Sequence, residues 1–170
     1  MDLNTMAGWQ EFAKLAPLGT ALIAVSAAII ALFSLRAQKT IARRRAAIDF
    51  FLKTDMDAKM IEVADAYDTA VAKFAKMADI NEFTNWPEYW TIITYLNVHE
   101  LLAIGIRRKV FDEGVCYGYW NTELKQTCAK LARLIEHQHS SHDEPYTFKQ
   151  MIALNQRWCS RHQFWQRWRD

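Results

Sequence analysis

The sequence has few residues that break helices. It contains 5 Gly and 3 Pro in 170 residues, and it has no run in which apolar and polar residues alternate as they do in strands. The cysteines are Cys116, Cys128 and Cys159, an odd number without a CxxC pair, which argues against a disulfide framework and against a cysteine-based zinc site. These scarcities predict an all-α fold with reduced thiols.

The sequence also lacks the common catalytic signatures. It has no Gly-rich phosphate loop and no Ser/His/Asp signature, and we predict no catalytic residue. His99-Glu100 begins like the zinc-protease motif HExxH, but Ala103 stands where the second histidine is needed. A further polar cluster has a composition common in loops, so we predict neither a metal site nor a cofactor there: His137, His139, His142, Asp143 and Glu144. A non-enzymatic function is favoured, although missing motifs do not exclude catalysis.

One uncharged apolar run stands out near the N-terminus. It extends from Leu15 to Leu35, 21 residues. At roughly 1.5 Å per residue such a helix covers the roughly 30 Å hydrocarbon core of a bilayer. The alternatives are a buried core helix and a signal peptide, and the second is disfavoured because Asp2, Glu11 and Lys14 replace the usual basic patch. We predict a short extracytoplasmic tail at 1–14 and a single-pass transmembrane helix at 15–35.

Basic residues cluster directly after this run. The stretch 36–45 has five positive residues and no acid, whereas 46–170 has 15 Lys/Arg against 17 Asp/Glu. Because positive flanks stay in the cytoplasm, we predict the N-terminus outside and the rest inside. The stretch should form a basic juxtamembrane helix, 36–53, that contacts anionic lipid headgroups rather than nucleic acid; its basic residues are Arg36, Lys39, Arg43, Arg44 and Arg45.

Small residues recur at four-residue spacing within the apolar run. Thr20, Ala24 and Ala28 share one helix face, and this spacing allows two membrane helices to approach closely. The pattern leaves two interpretations open, of which a homo-oligomer formed through this face is the less favoured. The alternative is that alanine is simply common in such helices.

The remaining residues, 54–170, predict a cytoplasmic helical bundle. Apolar periodicity and capping signals place helices at 55–78, 86–106, 112–137 and from 146 onward, with Gly105 closing the second and loops at 81–85 and 139–145. The predicted inward face of the third helix is Val115, Tyr119, Leu124, Cys128, Leu131 and Ile135.

Asn97 and Glu100 lie three residues apart on the second of these helices. Buried polar groups need hydrogen-bonding partners, so the favoured interpretation is a tie between helices, with Arg43, Arg44 or Arg45 as partners. The other interpretation is a ligand or catalytic site that includes His99.

The C-terminal segment interleaves tryptophan and arginine. A helical stripe here predicts core packing first, and a membrane-surface or protein-binding face second; single-stranded nucleic-acid stacking is the remaining alternative. The candidate binding face is Trp158, Arg161, Trp165 and Trp168.

Several short patterns together resemble a known family. They are Phe50-Phe51-Leu52, then Tyr95-Leu96-Asn97-x-x-Glu100-x-x-Ala103-x-Gly105-Ile106, then Phe111-Asp112-Glu113, Trp120 and a Trp-rich last helix. Over most of 37–168 the chain resembles the domain of unknown function 4760 family, short membrane-anchored proteins of bacteria and prophages. The resemblance implies one membrane helix and a helical domain at the bacterial inner membrane. It implies no activity for Asn97, Glu100 or Gly105. The prophage association suggests superinfection exclusion, by analogy alone.

Taken together, the sequence predicts a membrane-anchored, non-enzymatic interaction module with an unidentified protein partner. The alternatives are a membrane-tethered enzyme or ligand sensor with a polar site in the bundle, and an oligomeric membrane scaffold.

Overall fold

The structure is a computed structural model that describes the backbone of residues 3–141 and 147–167 and the side chains of 19–140 and 147–160. The described backbone contains no strand, which confirms the all-α class. The helices are α1 (Leu3–Met56), α2 (Ala58–Lys76), α3 (Ile80–Phe83), α4 (Pro87–Arg107), α5 (Glu113–Lys130), α6 (Ala132–Ser141) and α7 (Lys149–Arg167). The chain divides into two compact units, Met1–Ala42 and Arg43–Asp170.

The first unit is a segment of α1. Within α1, Gly19–Met56 includes a stretch long and apolar enough to cross a membrane by length and composition, and none of that stretch is buried. Ser26 fits an apolar helix because its hydroxyl donates to the carbonyl of Leu22 at 2.9 Å, which satisfies its polar group within the helix.

The second unit begins with the end of α1. Ala47 and Phe51 are buried in its core, and Phe51 contacts the ring of Trp120 at a centroid distance of 5.4 Å. Part of the segment predicted as a juxtamembrane helix therefore packs within the bundle. α4 lies at the centre and contacts both α2 and α7, and α5 also contacts α7.

Local sequence signals explain where several helices begin. The carboxylate of Asp57 accepts hydrogen bonds from the amides of Lys59 and Met60 at the start of α2, and Asp112 accepts from Val115 at the start of α5. Pro87 occupies the first turn of α4, where its missing N–H costs nothing.

The end of α4 differs from the prediction. The helix continues past Gly105 to Arg107, and Lys109 adopts the left-handed conformation with φ of 59°. The amide of Lys109 donates to the carbonyl of Ile106 and that of Val110 to the carbonyl of Gly105, which is the Schellman pattern. Gly105 closes the turn through its carbonyl rather than through a left-handed backbone.

Three further boundaries also differ. Residues 80–83, mostly inside the predicted loop, form the short helix α3 capped by Asp79. The predicted helix 112–137 divides at Leu131, whose φ of −107° and ψ of 11° lie outside the helical region. The next helix, α6, continues to Ser141, beyond the predicted loop start at residue 139.

Of the predicted inward face of the helix 112–137, Leu124, Leu131 and Ile135 are buried, whereas Val115, Tyr119 and Cys128 are not fully buried. Tyr119 is 56% exposed and Cys128 only partly buried, whereas Trp120 and Thr127 are buried. At the start of α5 the buried positions come one residue later than predicted, because Trp120 packs against Phe51 from α1 and His99 from α4. Periodicity alone does not separate two faces one position apart.

Candidate functional site

Glu100 of α4 holds the start of α7. One carboxylate oxygen accepts the amide of Gln150 at 3.1 Å and the other accepts the amide of Met151 at 2.7 Å. The first amides of a helix have no partner within it, so this carboxylate acts as a cap supplied by another helix. It forms a tie between helices, but its partners are backbone N–H groups of α7 instead of arginines.

The other two residues of the predicted polar motif have separate environments. Asn97 is exposed, so the structure does not place it with Glu100 in a buried site. Gly105 is buried, and a Cβ atom there would lie 2.3 Å from two carbons of the Phe111 ring. This close approach explains why a glycine occupies the position.

Two of the five residues predicted to form a basic surface, Arg43 and Arg44, make contacts within the second unit. Arg43 donates to the carbonyl of Phe111 at 3.2 Å, and Arg44 pairs with Asp112 at 3.7 Å. These contacts tie the end of α1 to the turn between α4 and α5. Arg43 is half-buried, and the other four basic residues, Arg36, Lys39, Arg44 and Arg45, are exposed.

Trp158 belongs to the core, which corrects its place on the candidate binding face. Its side chain is fully buried, and its indole N–H donates to Glu113 at 3.1 Å while the ring packs edge-on against Tyr117. Core packing was the first interpretation of the stripe, and it holds for this residue. The side chains of Arg161, Trp165 and Trp168 lie outside the described residues.

The small residues of the predicted self-association face, Thr20, Ala24 and Ala28, are all exposed on α1. Their self-association stays a prediction.

The cysteines are free thiols. Burial raises the pKa of Cys116 to about 12 and that of Cys128 to about 11. Because the thiolate is the reactive form, both side chains are poor nucleophiles near neutral pH.

A buried polar network joins three helices and was missed by sequence analysis. The hydroxyl of Tyr67 on α2 donates to Thr127 at 3.2 Å, and Thr127 donates to Glu123 at 3.3 Å, both on α5. The hydroxyl of Tyr95 on α4 donates to the same Glu123 carboxylate oxygen at 3.1 Å. Burial raises the pKa of Tyr67 to about 12, so its phenol stays protonated as a donor. Thr127 lies between Leu124 and Leu131 on the apolar stripe, which is the signal that could have revealed it.

His99 lies beside this network, fully buried. Its ring stacks on Trp120 at 4.7 Å and contacts the ring of Tyr95 at 4.9 Å. Nδ1 lies 3.0 Å from the carbonyl of Tyr95, and Nε2 has no hydrogen-bond partner among the described residues. Burial lowers the pKa of His99, so the ring is neutral at physiological pH.

A cavity of about 290 Å³ lies beside Tyr95 and Trp120. It is lined by Thr54 and Asp55 from α1, Asp65 from α2, Tyr95 from α4 and Trp120 from α5, together with aliphatic side chains. Neither Asn97 nor Glu100 contributes to it.

The described residues contain no group of three or more side chains placed to hold a metal ion. His99 and Glu100 face different partners, and His139 donates from Nε2 to the carbonyl of Thr147 at 2.5 Å. His142, Asp143 and Glu144 lie outside the described residues.

The fold and the site define an all-α protein with an apolar N-terminal helix and a helical domain that contains a partly buried polar network. The family model described as a domain of unknown function, DUF4760, matches residues 21–158, so the chain belongs to that family. This confirms the resemblance seen in the sequence. No curated protein and no solved structure matches the chain.

Proposed function

We propose that the protein is a membrane-anchored, non-enzymatic binding module, with α1 as the anchor and the helical domain at the inner face of the cytoplasmic membrane. The observation that carries the anchor is the exposure of apolar side chains in α1. Eight large apolar side chains remain 48–71% exposed: Leu22, Ile23, Val25, Ile29, Ile30, Leu32, Phe33 and Leu35. Covering them is worth on the order of 10–20 kcal/mol, which a bilayer supplies.

Two further observations support the anchor. No acidic or basic residue interrupts 15–35, and the matched family region includes residues 21–35. A charged side chain near the middle of a spanning helix costs roughly 3 kcal/mol on insertion.

Membrane extraction tests this anchor. The protein should stay with the membrane pellet after an alkaline carbonate wash, and Ile29→Arg should shift it toward the soluble or degraded fraction. Ile48→Arg is the matched control, because that exposed position lies outside the apolar run. Release of the unaltered protein by carbonate would contradict a spanning helix.

Fusion reporters test the orientation. A reporter that fluoresces only in the cytoplasm should fluoresce when it is fused after residue 170. A phosphatase that is active only outside the cytoplasm should be inactive in the same position. The reverse pattern would overturn the inside placement drawn from the basic flank.

For the binding role, the support is the exposed charge of α2, where Glu62, Asp65 and Asp68 all face solvent. Photocrosslinking in native membranes tests the predicted C-terminal binding face with the double variant Trp165→Ala/Trp168→Ala. The control is Trp90→Ala, which removes an exposed tryptophan from α4. Loss of a crosslinked partner only in the double variant supports a C-terminal binding face, and equal recovery from all variants rejects it.

Superinfection exclusion is the finer form of this proposal, and it rests on the family resemblance alone. A phage panel plated on cells with and without the protein tests it. Fewer plaques with normal adsorption and blocked DNA entry would support it, and unchanged plating would remove it.

An oligomeric scaffold remains the other candidate, because Ala24 and Ala28 present an exposed small-residue face. Crosslinking in membranes should give a dimer that Ala24→Leu weakens. A monomer in both proteins would reject self-association through this face.

A further inference from the structure

The turn between α4 and α5 exposes a compact run of positive charge. Arg107, Arg108 and Lys109 are consecutive, and all three are exposed. Val110 follows them and is itself 51% exposed. None of the three basic side chains forms an ion pair with another residue that the structure describes. These four residues, the basic turn, therefore present three unpaired charges beside one apolar side chain.

Tertiary contacts hold the basic turn against the end of α1. The amide of Asp112 donates to the carbonyl of Arg43 at 3.2 Å, and the guanidinium of Arg43 donates to the carbonyl of Phe111, also at 3.2 Å. Arg44 pairs with Asp112 at 3.7 Å. The fold thereby joins the basic turn to a second basic segment that is distant in the chain.

The two joined segments have a large excess of positive charge. Residues 43–48 and 105–111 each contain three basic residues and no acid. Of the acids next to them in the chain, Glu100 caps α7 and Asp112 is paired with an arginine of α1, which leaves the exposed Asp49. Like charges gathered in this way repel one another, so the surface favours an anionic partner.

We propose that the basic turn binds the anionic lipid surface of the bilayer that α1 spans. Its three basic side chains contact phosphate-bearing headgroups, and Val110 enters the interface between the headgroups and the acyl chains. Each basic residue near such a surface strengthens association about fivefold, the equivalent of ~1 kcal/mol. The turn holds one face of the helical domain against the membrane.

This inference rests on the proposed anchor, because the anchor supplies the nearby bilayer. Arg43, which contacts the turn, follows Leu35 at the end of the apolar run by eight residues. Eight residues span at most roughly 28 Å even when fully extended. A tether this short keeps the effective concentration of the lipid surface on the order of millimolar, so weak headgroup contacts suffice.

The distribution of charge favours a membrane over nucleic acid. Residues 46–170 contain 15 Lys/Arg against 17 Asp/Glu, so the domain as a whole is slightly acidic. A nucleic-acid footprint extends over a basic face of a domain, whereas the charge here is concentrated in one turn and the helix end beside it.

Headgroup quenching in nanodiscs tests the proposal with the full-length protein. A bimane fluorophore is attached at Val110→Cys in a background with Cys128→Ser and Cys159→Ser, and Cys116 stays because it is fully buried. The discs contain phosphatidylcholine alone or with about 30% phosphatidylglycerol, and both carry a lipid with a nitroxide on its headgroup. Quenching should be at least about twofold stronger in the anionic discs, and about 1 M NaCl should remove the difference by screening.

Charge variants assign the quenching to the turn. Arg107→Gln/Arg108→Gln should lower quenching in the anionic discs to the neutral level, whereas Arg107→Lys/Arg108→Lys should keep it. The matched control is Lys59→Gln/Lys76→Gln, which removes two exposed positive charges from α2 and should leave quenching unchanged. If the glutamine double variant loses helicity by circular dichroism, Lys109→Gln gives the same test from a position outside α4.

Two results would overturn the proposal: equal quenching in neutral and anionic discs, or equal losses in the turn variant and the α2 variant. A short DNA duplex at equal phosphate concentration should not reduce the quenching, and a reduction would reassign the surface to nucleic acid. The anchor is measured separately, because a spanning protein co-elutes with neutral discs whether or not the turn binds. Co-elution without anionic quenching contradicts the basic turn alone, and absence from neutral discs contradicts the anchor.

Discussion

At Gly105 the turn after α4 folds back so closely against the helix that no space remains for a side chain. The ring of Phe111 occupies the space that a Cβ atom would need, and the Schellman turn holds Phe111 there through its neighbours. We expect Gly105→Ala to lower the free energy of unfolding by about 1–3 kcal/mol, because overpacking outweighs the better helix propensity of alanine. Urea denaturation of the full chain in micelles measures it.

Gly118 is the matched control for this substitution. It lies within α5, and a Cβ atom there meets nothing within 4 Å. Gly118→Ala should stabilise the protein by roughly 0.5–1 kcal/mol through helix propensity alone. Equal effects at both glycines would contradict the steric role of Phe111.

At Lys109 a residue other than glycine occupies a backbone conformation that favours glycine. Its φ of 59° is a left-handed conformation that costs an ordinary residue roughly 1 kcal/mol and glycine almost nothing. Lys109→Gly should therefore raise the free energy of unfolding by about 0.5–1 kcal/mol, less the added entropy of the unfolded chain. Arg108→Gly, at a position with φ of −77°, should instead destabilise the turn.

Among the elements, α7 depends most on a distant residue. Both oxygens of Glu100 accept amides at its start, so the helix is capped from α4. Glu100→Gln retains one acceptor oxygen and loses the negative charge, and it should cost about 1–2 kcal/mol. Hydrogen exchange should become faster at Gln150 and Met151. Asn97→Ala, an exposed change on the same helix, should leave that exchange unchanged.

The end of α1 is the second element with a testable role. Phe51 is 5% exposed in the core, whereas its neighbour Leu52 is 53% exposed. Phe51→Ala should lower the free energy of unfolding by about 3–5 kcal/mol, and Leu52→Ala by well under half of that. Similar small losses at both positions would show that the bundle begins after α1.

The elements also show what sequence reasoning can reach. Local signals such as Pro87 and Asp112 predicted helix starts well, because capping depends on a few neighbouring residues. The partner of Glu100 lies 50 residues away, and the burial of Trp158 depends on Glu113 from another helix. Such pairings are decided by tertiary packing, which hydrophobic periodicity does not encode. The cavity was missed for the same reason, since its lining comes from α1, α2, α4 and α5.

For the whole molecule, the buried His99 makes stability depend on pH. Its folded-state pKa is lowered from 6.5 by burial, so the unfolded chain binds a proton first as the solution is acidified. Stability is complete above about pH 6.5 and should fall by up to roughly 1.4 kcal/mol per pH unit below it, until the lowered pKa is reached. Thermal unfolding between pH 7 and 5 measures this loss.

His99→Gln removes the titrating ring and should flatten this dependence, even if the variant is less stable at neutral pH. His139→Gln, at a partly buried position on α6, should keep the loss on acidification. An unchanged slope in His99→Gln would assign the pH dependence to other groups.

The cap on α7 has a consequence for biosynthesis. Glu100 and the side chains that pack against Trp158 have no partner until α7 has been translated, whereas the apolar segment of α1 leaves the ribosome earlier. At about 5–20 residues per second, the interval between Leu35 and Trp158 is on the order of 6–25 s. During that interval the nascent domain exposes the core surface that Met151, Leu154 and Trp158 later cover. The protein is therefore expected to need a chaperone during synthesis, and substitutions at Glu100 should prolong that dependence.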